Sequence, residues 1–271
     1  IGNQAQDFAV GANLAVTMMG IASGQHDQVR DFVRGTQTLF ENIRLCPKPI
    51  VAAPYGRVLG GGVEIALAAA RRVAAAETYM GLVELGVGLI PGWGGCKEMI
   101  RRHVSPHMKT PGADALPYFQ QVFETIAMAK VGESVEQSRR LGYLDEDDKV
   151  VMNKERLIGE AKQAVLQLVA EGYTPPPAGG DPVYALGRRG LGAIAASVHA
   201  MRVGGYISAY DQKLARALGW ALCGGDLNTP QWVTEQYILD LEFEQLLKLA
   251  VEPKTQERIM GMLQTGKPLR N

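Results

Sequence analysis

Two glutamates stand in surroundings that favour acid and base chemistry. Glu64 comes two residues after the run Gly60-Gly61-Gly62, and Glu84 lies in the mainly apolar stretch from Met80 to Ile90. A carboxyl group in apolar surroundings tends to have a raised pKa, which suits it to proton exchange near neutral pH. A glutamate in the first turn of a helix also stabilises the helix dipole without doing any chemistry. Both interpretations of Glu64 therefore stay open at this stage.

The glycine run itself indicates an anion-binding turn. Glycines let the backbone approach a ligand closely, and the first N–H groups of a following helix have no partner within that helix. The helix dipole favours negative charge at the same place, either a phosphate or the oxyanion that develops on a carbonyl group. A plain tight turn is the alternative explanation of the same residues.

The elements around these glutamates alternate in a way that predicts an α/β fold. A buried strand over 49–56 precedes the glycine turn, a helix over 63–72 follows it, and short strands are expected at 73–75 and 78–81. An earlier helix over 28–45 follows one that begins near Asn13. The stretch from Lys97 to Pro117 is expected to be a loop. Further helices are predicted over 118–142, 153–172, 190–225 and 229–264.

Composition limits the kinds of partner. The chain has 271 residues, 28 basic and 28 acidic, so net charge favours neither a nucleic-acid nor a membrane partner. The three cysteines lack the spacing of a disulfide framework or a zinc site, and no metal site is predicted. No apolar run approaches the roughly 20 residues of a membrane helix. We expect a cytoplasmic location and, because Ile1 is not an initiator Met, a fragment of a longer chain.

Four motifs resemble the enoyl-CoA hydratase (crotonase) superfamily over residues 1–100. These motifs, in chain order, are Phe8 to Leu14, Lys48 to Ala53, Leu59 to Leu67, and Glu84 to Gly95. The resemblance implies an α/β, crotonase-like (ClpP/crotonase) fold with a ββα spiral core that lacks its first strands. It also implies a division into a core at 1–173, a Pro/Gly linker at 174–180 and a helical C-terminal region at 181–271.

The same resemblance implies a role for each candidate site residue. The N–H groups of Ala12 and Gly61 match the two donors of the family's oxyanion hole, and Glu64 and Glu84 match the two glutamates of true hydratases. The glycines that would shape the substrate site are Gly11, Gly60 and Gly62. The implied reaction adds water to a trans-2-enoyl-CoA to give a 3-hydroxyacyl-CoA. Glu84 would be the main acid and base, and Glu64 would position and activate the water.

The second part of the chain resembles bacterial 3-hydroxyacyl-CoA dehydrogenase proteins that carry a crotonase domain. The matching segments are Gly172 to Pro176, Gly205 to Ser208, Leu239 to Glu242 and Thr265 to Asn271. This implies an upstream NAD-binding domain, a homo-oligomer, and no cofactor in this region beyond the CoA moiety of the substrate. The alternatives are an enoyl-CoA isomerase or a non-catalytic scaffold of the dehydrogenase. No nucleotide-binding fingerprint is present in this sequence.

Overall fold

The computed structural model describes residues 1–16, 19–21 and 23–271. Parallel strand pairs form its sheet part: β1 and β5 flank β3, and β2 pairs with β4. An antiparallel pair, β6 with β7, lies in the second part of the chain. The strands are β1 (Val51–Ala52), β2 (Gly56–Leu59), β3 (Arg71–Ala75), β4 (Thr78–Gly81), β5 (Lys149–Val151), β6 (Val183–Ala185) and β7 (Gln231–Val233).

Helices surround these strands and make up most of the second part of the chain. They are α1 (Leu14–Ala22), α2 (His26–Arg44), α3 (Gly61–Ala68), α4 (Gly95–His103), α5 (Leu116–Ala127), α6 (Val135–Arg140), α7 (Leu157–Ala170), α8 (Arg188–Val203), α9 (Ala209–Cys223), α10 (Glu235–Ala250) and α11 (Pro253–Thr265). Short 3-10 turns occupy Glu84–Val87, His107–Lys109 and Lys154–Arg156. None of the helices in the described part of the chain has both the length and the apolarity needed to cross a bilayer.

Two successive ββα units bring the glutamates together. The first runs from β1 and β2 into α3, and the second from β3 and β4 through the 3-10 turn at Glu84 into α4. Because β2 and β4 are parallel and Leu59 is in register with Gly81, the segments that follow both strands leave the sheet at the same edge. The predicted α/β fold with a ββα core is thus confirmed.

The first motif of the chain lies along β2. Ala9 forms a parallel bridge with Val58, and its carbonyl accepts a hydrogen bond of 2.9 Å from the N–H of Leu59. The next residues, Gly11 and Ala12, therefore reach the same edge of the sheet as the glycine turn. Asn13 then caps α1 by accepting from the N–H of Val16, as the sequence predicted.

The structure corrects two predictions of local structure. The expected loop from Lys97 to Pro117 begins with most of helix α4, whose buried face includes Met99 and Ile100. The N-cap of this helix is Gly94, which has a φ of 112° and no capping side chain, so the usual start signal is missing. The expected helix over 229–264 includes strand β7, because Gln231–Val233 pairs with β6.

The C-terminal helices pack on the same hydrophobic core as the ββα units. Leu218 and Ile238 lie in one buried cluster with Val58 and Leu67. The Pro/Gly segment 174–180 contains neither helix nor strand. The division of the chain at that segment stays a prediction.

Candidate active site

A cavity of about 440 Å³ opens at the edge where β2 and β4 end. The predicted site residues that line it are Gly11, Ala12, Gly60, Gly61, Glu64 and Glu84. The remaining predicted residue, Gly62, lies behind the turn, where an added Cβ would come within 2.5 Å of the carbonyl oxygen of Ala9. It therefore supports the turn by allowing close backbone packing.

Glu64 is held in place by backbone donors. It is 3% exposed, and its Oε1 accepts hydrogen bonds from the N–H groups of Trp93 at 2.8 Å and Gly95 at 2.9 Å. Burial raises the pKa of Glu64, and these N–H groups oppose the rise, which leaves the pKa at about 7. The carboxyl group is therefore poised to accept or release a proton near neutral pH.

Glu84 lines the same cavity as Glu64 but is held by fewer hydrogen bonds. Its Oε2 is buried and has no hydrogen-bond partner among the described residues. Burial and the like charges of Glu64 and Glu242 raise the pKa of Glu84 well above its usual value. A raised pKa favours the protonated form of this carboxyl group.

The glycine turn leaves room for both carboxyl groups and for a ligand. Gly60 has a φ of 55°, and an added Cβ would lie 3.2 Å from Oε1 of Glu84. An added Cβ on Gly61 would come within 2.4 Å of the ring of Trp93. Gly11 has a φ of 90° and lies against the backbone of the same turn. Side chains at these positions would narrow the cavity, so the glycines are required by contact as well as by backbone conformation.

Two backbone N–H groups at the cavity have no acceptor among the described residues. They belong to Ala12 and Gly61, and both residues line the cavity. Gly61 is the first residue of α3, where a helix leaves its N–H groups without internal partners. This geometry allows the pair to bind an oxygen atom that carries negative charge.

The C-terminal region supplies part of the site, which sequence reasoning did not find. Leu246 on α10, Met262 on α11 and Pro268 lie on the cavity wall. Glu242 on α10 is fully buried and contacts the loop that holds Glu64. The sequence signal for Glu242 is its place in the segment Leu239 to Glu242, which indicates a family resemblance and gives no sign of chemistry.

Two arginines of the core region have buried side chains that pair with acidic residues. Arg72 donates to Asp148 at 2.9 Å and is 5% exposed, and Arg102 pairs with Asp145 at 2.7 Å. Burial and the neighbouring charge of Arg72 lower the pKa of Arg102 to about 10. Acidic residues near β5 thus bind both arginines inside the protein.

Residues 1–107 match a family model described as enoyl-CoA hydratase/isomerase. This part of the chain is thus similar to the crotonase superfamily. The match includes both glutamates and the glycine turn, so the family assignment and the cavity concern the same residues.

Two curated relatives of this chain are named as enzymes of fatty-acid metabolism. The whole chain aligns at 42% identity with a Bacillus subtilis protein named "Probable 3-hydroxyacyl-CoA dehydrogenase". The alignment covers 34% of the length of that protein. A second alignment, over 101 residues, joins the chain at 39% identity to a Bacillus subtilis protein named "Probable enoyl-CoA hydratase". It covers 37% of this chain and 38% of that protein. The chain thus spans about a third of the length of these curated relatives.

Solved structures agree in fold. The crystal structure of an enoyl-CoA hydratase from Bacillus halodurans superposes with a TM-score of 0.59 at 19% identity, covering 96% of this chain and 78% of that one. At this identity the likeness shows the crotonase fold alone.

Proposed function

We propose that this chain adds water to a trans-2-enoyl-CoA and forms a 3-hydroxyacyl-CoA. The observation that carries the proposal is that Glu64, Glu84 and two N–H groups without an acceptor among the described residues line one cavity. An acid and a base act on the double bond, while the N–H pair acts on the thioester oxygen. The family's relatives with other reactions often lack one of the two glutamates, so the presence of both favours hydration.

The two N–H groups would stabilise the enolate that forms as water attacks. The N–H groups of Ala12 and Gly61 bind the thioester oxygen, where negative charge develops. In other enzymes, loss of one such donor costs roughly 3–4 kcal/mol of transition-state stabilisation. Because these donors belong to the backbone, they are already oriented before the substrate binds.

The two glutamates would divide the proton transfers according to their pKa values. Glu64, with a pKa of about 7, is partly ionised at neutral pH and accepts a proton from the attacking water. The water oxygen then bonds to C3, and Glu84, whose pKa is raised well above its usual value, gives its proton to C2. Return of a proton from Glu64 to Glu84 restores the site, so one water is consumed and no net proton is taken up.

The wider setting of this activity is also part of the proposal. The whole-chain similarity to a protein named as a 3-hydroxyacyl-CoA dehydrogenase supports a role in fatty-acid β-oxidation. In such a protein the alcohol formed here is the substrate for oxidation by NAD, which would bind in an upstream domain. CoA would enter this region only as part of the substrate. Assembly as a homo-oligomer is proposed on the same resemblance.

The direct test is hydration of crotonyl-CoA, followed by the loss of the enoyl-thioester absorbance. We expect turnover with 3-hydroxybutyryl-CoA as the product, identified by mass spectrometry. Conversion of a 3-enoyl-CoA to a 2-enoyl-CoA without hydration would identify an isomerase. Neither turnover nor binding of CoA thioesters would favour a non-catalytic scaffold.

A further inference from the structure

Glu242 extends from helix α10 to the loop between the 3-10 turn and α4. Its side chain is fully buried, its Oε2 accepts from the N–H of Gly94 at 2.8 Å, and its Oε1 accepts from the N–H of Lys97 at 2.7 Å. This carboxyl group comes from the C-terminal region, more than 130 residues beyond the family match at 1–107.

The same short segment binds two carboxyl groups through alternating donors. The N–H groups of Trp93 and Gly95 bind Glu64, while those of Gly94 and Lys97 bind Glu242. Together they form the start of helix α4, where unpaired N–H groups and the helix dipole favour negative charge. The position of Glu64 therefore depends on a segment that Glu242 also holds.

A second contact from α2 fixes this segment in the same place. The buried side chain of Gln37 donates from Nε2 to the carbonyl oxygens of Gly92, at 2.8 Å, and Leu239, at 3.0 Å. Leu239 lies one turn before Glu242 on α10. Helix α10 is thus joined to the glycine segment both by its backbone and by the Glu242 side chain.

The charges around Glu242 make it part of the acidic cluster. Glu64 on α3 and Glu84 on the 3-10 turn are like charges, and Lys97 on α4 is the nearby cation. Burial and the charges of these three carboxyl groups raise the pKa of Cys96 on α4 well above its usual value. Lys97 directs its Nζ toward Glu41, Glu98 and Glu235, so the contact that it makes with Glu242 is through its backbone N–H.

We propose that Glu242 is a positioning residue of the active site, which holds the segment whose N–H groups orient Glu64. This inference rests on the proposed hydratase function for its catalytic consequence. It adds to that function a residue outside the two-glutamate motif, supplied by the C-terminal helices.

Two variants weaken the hydrogen bonds of Glu242 to different degrees. Glu242→Gln keeps the side-chain length but removes one of the two acceptors. Glu242→Asp keeps the carboxyl group but withdraws it from both N–H groups. Glu244→Gln, an exposed change on the same helix, is the matched control, since Glu244 pairs with Lys248 at the surface.

The first experiment measures kcat and KM for crotonyl-CoA hydration as a function of pH. We expect Glu242→Gln to lower kcat by about tenfold, because the amide keeps one acceptor for two N–H groups and the segment that orients Glu64 shifts. We expect Glu242→Asp to lower kcat by up to about 100-fold, because the shorter side chain withdraws both acceptors. In both variants the acid limb of kcat/KM should move to higher pH, because displaced N–H groups of Trp93 and Gly95 oppose the effect of burial on Glu64 less. Glu244→Gln should behave as the unchanged protein. An unmoved limb in Glu242→Gln together with an unchanged kcat in Glu242→Asp would overturn the inference while leaving the hydratase function intact.

The second experiment needs no turnover. The side-chain carboxyl carbon of Glu64 is labelled with ¹³C, assigned with Glu64→Gln, and titrated by NMR in the unchanged protein and in each Glu242 variant. We expect Glu64 to titrate at higher pH in both Glu242 variants, because its N–H donors are displaced, and not in Glu244→Gln. If Glu64 titrates identically in all of them, Glu242 is not coupled to it. If the protein hydrates no enoyl-CoA but the titration shifts, the proposed function fails and the coupling stands.

Discussion

Two groups of buried carboxylates lie on opposite sides of the start of α4, and they differ in what faces them. On the cavity side, Glu64 and Glu242 are bound by backbone N–H groups, and Glu84 Oε2 has no partner among the described residues. On the other side, Glu98 and Glu235 are equally buried but are paired with cations. Burial raises the pKa of every one of these groups when taken alone.

The cations reverse the effect of burial on one side only. Arg101, Lys97 and Arg44 hold the pKa of Glu98 well below its usual value, although burial acts in the opposite direction. On the cavity side, burial and mutual repulsion raise the pKa values of Glu64, Glu84 and Glu242. Similar burial thus yields a permanently charged structural network in one place and proton-exchanging groups in the other. The charge of the neighbouring groups, and not the depth of burial, distinguishes the structural carboxylates from the candidate catalytic ones.

Removal of the unsupported acid should have the largest effect on activity. We expect Glu84→Gln to lower kcat/KM for crotonyl-CoA by about 10²–10⁴-fold, because the group that protonates C2 is lost. The fold should survive, since Glu84 Oε2 makes no hydrogen bond with any described residue. Initial rates and thermal unfolding measure both. The control is Glu77→Gln at the surface, and equal rates in the two variants would contradict the assignment of Glu84.

Removal of the central cation should instead affect stability. Lys97 is 2% exposed by side chain and pairs with Glu41 at 2.6 Å, Glu98 at 2.7 Å and Glu235 at 2.8 Å. We expect Lys97→Met to lower the free energy of unfolding by about 3–5 kcal/mol, because buried charges lose their partner. Urea denaturation measures the change. Lys248→Met at the surface should change stability by less than about 0.5 kcal/mol, and a similar small effect at Lys97 would remove the contrast between the two sides.

The pH dependence of the unchanged protein sharpens the same contrast. Glu64 must be ionised to accept a proton, and its pKa of about 7 is above that of an ordinary carboxyl group. We therefore expect kcat/KM to fall below about pH 7, approaching tenfold per pH unit. Because the folded pKa is raised, the stability that Glu64 contributes is present at low pH and is lost as the pH rises toward 7. A profile that stays flat down to pH 5 would show that Glu64 is not the base.

The glycine turn should give the smallest of these effects. We expect Gly60→Ala to lower the free energy of unfolding by roughly 1–2 kcal/mol, because a non-glycine residue resists a φ of 55°. It should also lower kcat, because the new Cβ would contact Glu84 Oε1. Gly112→Ala is the control, since it has a φ of 80° with open space around it. A loss of stability with an unchanged kcat in Gly60→Ala would mean that the Glu84 contact is not limiting.

Much of the catalytic side could be predicted because it is encoded locally. The strand, the three glycines and Glu64 are continuous in sequence; their spacing predicts the turn and the helix, and the family resemblance implies the role of Glu64. Helix α4 could not be predicted in the same way, because its N-cap is Gly94, which offers no capping side chain. Its stability comes from burial of Met99 and Ile100 in the core, which a local pattern does not report.

The sequence by itself indicated the crotonase resemblance, the α/β order and the two candidate glutamates, because all three depend on residues close together in the chain. Only the tertiary structure decided that Glu242 joins the acidic cluster and that the Lys97 side chain faces away from it. Those contacts join Glu242 to Lys97 and Gly94, which lie 145 and 148 positions earlier in the chain. The charge state of a buried carboxyl group follows from its neighbours in space, and packing of the helices chooses those neighbours.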